Sequence, residues 1–209
     1  MQNIAIVEQY CRARYNFFKW RYSLAFMKKM ILALGVACLI GLLAQVKFLL
    51  PGTPVPITGQ TFAVLLAGVL LGSKWGGVST AMYILFGMAG VPWFVGFSSG
   101  FGVILGPSGG YIIGFIFAAL FLGYFTDKYT KSRNFFSMLV LMLFANFVLI
   151  HLPGLLQLGL WVHISNIGEL TFWKLLSMGT IPFVFGDIIK IIAAAVLATA
   201  ITPKEAYNK

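Results

Sequence analysis

Apolar residues occupy this chain in runs too long for soluble helices, and the polar residues fall between the runs. The runs predict six membrane helices: about Met30 to Val46, Thr61 to Leu71, Val78 to Ala89, Ile112 to Phe125, Phe135 to Ile150, and a last one from near Phe183 to Ile201. The second and third are short and joined by Gly72-Ser73-Lys74-Trp75-Gly76-Gly77, so they cannot both cross unassisted at full thickness. Pro51, Pro54 and Pro56 exclude a regular helix before Gln60 and predict an outer loop. Val91 to Gly106 carries no charge, so it will not sit in water; irregular backbone at membrane depth must be buried or line a cavity. We read it as a lid over an outward-facing pocket.

Composition agrees: 60% apolar and 10% charged residues over 209 positions, with mean hydropathy +0.93, describe an integral membrane protein in one domain. A net charge of +10 invites a nucleic-acid reading. The basic residues gather instead at predicted membrane edges. With six spans and both termini cytoplasmic, twelve of the fifteen fall inside, against Lys47 and Lys174 outside and Lys190 within a span. Residues 1–26 mix Arg12, Arg14, Lys19 and Arg21 with aromatic side chains and read as an interfacial helix or a start-site extension; residues 27–209 form the six-helix domain. Cys11 and Cys38 suggest neither a disulfide nor a metal site.

Candidate chemistry centres on the last span, where Asp187 and Lys190 interrupt an otherwise apolar run in the outer half of the membrane. A lone charge at mid-membrane costs roughly 2.5 to 3.5 kcal/mol, so such residues face a bundle interior or cavity. Spaced i, i+3, the two share one helix face and place an acceptor beside a donor. A cyclic urea or lactam suits that pair; an ion pair locking two helices is the competing reading. Asn146 needs a polar partner, in a pocket or as bundle glue. Ala33, Ala37 and Gly41 form a small-xxx-small stripe that packs within the bundle or against another subunit.

Catalytic patterns are weak. Gly96-Phe97-Ser98-Ser99-Gly100 matches G-x-S-x-G but lacks the strand-turn-helix context of a nucleophile elbow. His151 and His163 have no third ligand nearby and read as interface or packing histidines. The glycines from Gly106 to Gly110 are followed by no Walker lysine, which excludes a nucleotide loop.

Three ordered motifs carry a resemblance: Pro54-Val55-Pro56-Ile57-Thr58-Gly59-Gln60-Thr61-Phe62; Gly106-Pro107-Ser108-Gly109-Gly110-Tyr111 with Gly114-Phe115; and Pro182-Phe183 with Gly186-Asp187 and Lys190. From Ala33 to about Ala200 the chain resembles the BioY family, the biotin-specific S components of energy-coupling-factor (ECF) vitamin transporters in prokaryotes. Ser108 stands where the family prefers threonine, and the basic leader lies outside its pattern. The resemblance implies an all-α, six-helix S-component fold in the prokaryotic cell membrane, biotin as ligand, no cofactor and no enzymatic activity. It also implies a transmembrane coupling (T) component against the Ala33, Ala37 and Gly41 stripe, with two ABC-type ATPase subunits. The family's Asp and Lys map onto Asp187 and Lys190, expected to hold the ureido ring. Asn146, Tyr83, Trp93, Gln60, Gly110 and Tyr111, at or near the outer ends of spans, are further pocket candidates. A stand-alone biotin carrier and an intramembrane serine hydrolase using Ser98 are the alternatives.

Overall fold

The structure, a computed structural model, describes residues 2–166 and 171–207, the side chains from residue 5 onward. Among the described residues, five helices are long and apolar enough to cross a membrane. They are α2 (Phe26–Ala44), α3 (Gln60–Met88), α5 (Gly109–Lys128), the continuous run Phe135–Ile164, and the stretch Phe172–Ile201. Ahead of them lies α1 (Gln2–Ser23), and a two-residue ladder joins β1 (Lys47–Phe48) to β2 (Ile57–Thr58) in the loop between α2 and α3.

α3 is not straight. Gln60 donates to the Tyr83 hydroxyl at 2.5 Å, although 23 residues of straight helix would hold them about 35 Å apart. A Cβ on Gly76 would stand 2.8 Å from the Gly68 Cα. The chain therefore folds back into antiparallel arms, 60–71 and 73–88, and the described residues hold six apolar helical segments. The expected turn over residues 72–77 contracts to one residue. Gly72 sits at φ 79°, ψ 174°, a conformation essentially restricted to glycine, and the helix resumes at once because the Asp127 carboxylate accepts the Ser73 N–H at 3.2 Å. Arm 60–71 is only about 18 Å long, so it reaches across little more than half the hydrocarbon layer.

α5 packs along both arms and carries glycines where backbones meet: a Cβ on Gly123 would strike Gly72 and Ser73, and one on Gly114 would strike Leu149 and Ile150. The stripe on α2 is likewise internal, which corrects its assignment to a partner surface. Ala33 and Ala37 are fully buried and Gly41 lies under Trp93, whose Cβ would be 2.9 Å from a Cβ there. Small residues permit close approach without saying to what, and here the neighbours are α3 and Trp93 of the same chain.

The fifth span outruns its expected end at Ile150. α6 (Phe135–Phe144) passes through a π turn (Ala145–Ile150) into α7 (His151–Ile164), 30 residues in all. Pro153 lies inside this run, although a proline lacks an N–H and its ring crowds the carbonyl four residues back. The wider turn immediately before it relieves both conflicts. After residues 167–170, which lie outside the described residues, α8 (Phe172–Gly179) packs on α7 and breaks at Thr180 into α9 (Ile181–Ile201).

At the basic end a polar clasp ties distant segments together. Arg21 of α1 reaches Asp127 at 3.0 Å and the Leu70 carbonyl at 2.7 Å; Tyr207 donates to the same carboxylate at 2.7 Å. Arg133, 1% exposed, donates to the carbonyls of Thr126, Pro203 and Glu205 and lies over the Tyr207 ring. Burial pulls the Arg133 guanidinium below its ordinary value and pushes the Tyr207 phenol above its own. Most of α1 is exposed, but Phe18 and Arg21 anchor its last turns.

Candidate functional site

Pro182 sits in the first turn of α9, where a missing N–H costs nothing, and the helix then carries Asp187 and Lys190 inward one turn apart. Their ion pair is 2.7 Å long, and the Asp187 side chain is 2% exposed. The other carboxylate oxygen accepts from Asn146 Nδ2 at 2.8 Å and faces His151 Nε2 at 2.9 Å. Lys190 spends its remaining donors on the Thr58 carbonyl at 3.0 Å and Thr61 Oγ1 at 2.8 Å. The end of the outer loop is thereby drawn down to the ammonium, at the start of the short arm of α3.

Asn146 and His151 meet one oxygen because of the π turn between them. Five residues of α-helix rotate a side chain by about 140° net, which would put the two on different faces. Closure i to i+5 brings them into line. His151 is thus a member of the site, although in the sequence it reads as a packing histidine; on an ordinary helix its five-residue spacing from Asn146 hides the partnership. Asn146 Oδ1 is buried with no hydrogen-bond partner among the described residues.

A cavity of about 80 Å³ lies against this cluster. Asp187, Lys190, His151, Thr58 and Thr61 supply its polar wall, with Gln60 and Tyr111 from the expected set, while Phe115, Ile150 and Phe183 supply its apolar wall. Tyr111 donates to the Gly179 carbonyl at 2.7 Å and meets the His151 ring edge-on. Tyr83 and Trp93 stand behind the cavity instead: Tyr83 is fully buried against Gln60 and Phe94, and Trp93 donates to the Tyr83 carbonyl at 2.9 Å. Gly110 is a packing position, since a Cβ there would strike the Pro153 carbonyl.

Residues 91–106 close one side through Val95 and Val103. This segment contains a 3-10 turn (Val95–Phe97) and α4 (Phe101–Leu105), and a glutamine pins each end. Gln45 donates to the carbonyls of Gly41, Trp93 and Phe94 and accepts the Phe97 N–H at 3.0 Å; Gln157 donates to the carbonyls of Ile104 and Gly106. Neither glutamine stood out in the sequence. Gln45→Ala should raise amide hydrogen exchange at Phe97 and its neighbours by tenfold or more while α5 stays protected, because one side chain closes these contacts. Unchanged exchange at Phe97 would show that Phe94, buried against Gly87, holds the segment alone.

Ser98 donates to the Val95 carbonyl at 2.9 Å within its own turn, and no histidine contacts it among the described residues. A nucleophile would need such a base.

A family model described as "BioY family" matches residues 14–206. Among curated proteins, the chain is 52% identical over 145 residues to a probable biotin transporter BioY of Methanothermobacter thermautotrophicus, covering 69% of this chain and 92% of that one. It is 36% identical over 149 residues to the biotin transporter BioY of Thermotoga maritima, covering 71% and 82%. Among solved structures it is similar to the S-component for biotin from an ECF-type ABC transporter, with a TM-score of 0.73 at 28% identity, covering 85% of this chain and 93% of that one.

Proposed function

The chain belongs to the BioY family, and from that premise we propose that it is the biotin-capturing S component of an ECF-type ABC transporter in a prokaryotic cell membrane. It is a multi-pass membrane protein and not an enzyme. The observation that carries the reading is the buried Asp187 carboxylate, held by Lys190, Asn146 and His151 at the wall of a cavity.

Donor and acceptor counting supports a ureido ring there. A carboxylate offers about four lone-pair sites. Three are engaged, which leaves one on the oxygen that pairs with Lys190. Asn146 does not line the cavity, but its buried Oδ1 has no partner among the described residues and becomes a second acceptor for a cyclic urea's N–H groups once the cavity widens. Lys190 receives the urea carbonyl by releasing the Thr58 carbonyl or Thr61. Gln60 and Tyr111 border the remainder of the ligand. Ligand pockets usually enclose about 300 to 1,000 Å³. A cavity of about 80 Å³ must therefore widen, and residues 91–106, fixed mainly by two glutamine side chains, are the part that moves. The T component and two ATPase subunits supply energy, consistent with a glycine-rich segment at 106–110 that carries no nucleotide-binding lysine.

Calorimetric titration of the purified chain in detergent should give saturable one-site binding of biotin without ATP. No heat on a monodisperse, helical sample would overturn the reading. Uptake into sealed vesicles by the chain alone would keep the ligand but replace the S-component role with that of an autonomous carrier.

A further inference from the structure

The basic end of the bundle holds a second cavity, of about 210 Å³, remote from Asp187. Arg21, Tyr22, Lys29, Lys74, Trp75 and Asp127 contribute to its wall. The acid is already spent: Asp127 pairs with Arg21 and accepts from Tyr207 and the Ser73 N–H. Lys29 donates to the Tyr22 carbonyl at 2.8 Å, which leaves two of its three N–H groups, and Lys74 is exposed with no ion pair among the described residues. Two positive charges thus face the cavity with no carboxylate left to balance them.

Its depth narrows the ligand. Exposed Tyr22, together with Trp75 against the Phe26 ring at 5.4 Å, forms the aromatic fringe typical of a membrane-water boundary. Phe26, packed on that Trp75, is exposed next to the cavity, and farther round α2 the exposed Met27 and Ile31 extend the apolar surface. A soluble anion would use the lysines and ignore the apolar surface. A molecule with a phosphodiester at headgroup depth and acyl chains below it uses both.

We propose that this cavity binds the headgroup of an anionic phospholipid, with the phosphodiester between Lys29 and Lys74 and the acyl chains along the exposed side of α2. The test uses the full chain in nanodiscs of phosphatidylcholine with increasing phosphatidylglycerol, read by thermal unfolding and by native mass spectrometry of retained lipid. Wild type should show a saturable rise in melting temperature. The double variant Lys29→Gln with Lys74→Gln should weaken phosphatidylglycerol retention by about 25-fold, about fivefold per lysine. The control, Lys128→Gln with Lys131→Gln, removes equal charge from the same end outside this cavity and should retain lipid as wild type does. Equal loss in both variants would reduce the effect to diffuse surface attraction and overturn the site. Inorganic phosphate reproducing the shift in phosphatidylcholine alone would make the ligand a free anion, again overturning it. If the Lys29/Lys74 variant keeps its lipid response but fails to assemble with energising subunits, the cavity is a protein-docking notch and the proposal falls. None of these readouts uses biotin, so they stand apart from the transport reading.

Discussion

Asp187→Asn should weaken biotin binding by about ten- to 150-fold, the worth of one hydrogen bond to a charged group. The new amide keeps one acceptor oxygen but turns an N–H₂ toward Lys190 or toward Asn146 and His151, all of which present donors in this structure. Lys190→Met should do comparable damage by a different route. It strands the carboxylate in an apolar layer, releases the Thr58 carbonyl that holds the outer loop, and removes the donor for the urea carbonyl. The double variant Asp187→Asn with Lys190→Met restores electrical neutrality without restoring complementarity to the ligand. Titration of all three on monodisperse samples separates the roles. A binding pair predicts that the double variant regains thermal stability while affinity stays low; recovery of near-native affinity would show that the pair only locks α9 to the start of α3.

The largest effect on stability should come from Gly72→Ala. A side chain there adopts a backbone conformation that costs on the order of 1 to 3 kcal/mol for a residue other than glycine. Its Cβ would also collide with the Asp127 carboxylate and push it off the Ser73 N–H and Arg21, adding about 1.5 to 3 kcal/mol for each charged hydrogen bond lost. Thermal unfolding in detergent should fall by roughly 5 °C or more. Gly52→Ala is the comparison: φ is also positive, but nothing lies within 4 Å of its Cβ, so only backbone strain remains. If the two variants unfold together, the Asp127 cap contributes nothing to the hairpin.

Charges inside an apolar run announce themselves, so Asp187 and Lys190 were legible from the sequence, as were the proline-rich loop and the uncharged segment over the cavity. Direction was harder to read. The Ala33, Ala37 and Gly41 spacing signals that something comes close without saying whether it belongs to the same chain, and it proved internal. Tyr83 and Trp93 look like pocket aromatics because their composition is the same on either side of a wall; contacts place them behind it. The span reads as ending near Ile150 and His151 as a packing histidine only on the assumption of 3.6 residues per turn. One wider turn overturns both readings, and no residue type marks its presence. Gln45 and Gln157 escaped because their partners are backbone carbonyls in a segment whose path the sequence does not fix.

The π turn amounts to one surplus residue threaded into a helix. Removing one residue between Asn146 and His151 would let α6 and α7 fuse into an ordinary helix in which the two stand four apart, about 40° from one another, so both still face the Asp187 carboxylate. What such a deletion takes away is the room before Pro153, whose ring would then crowd the carbonyl four residues back in a regular helix. Among relatives of this chain, a one-residue gap within this turn is therefore expected only where the place of Pro153 is taken by a residue that a regular helix accepts.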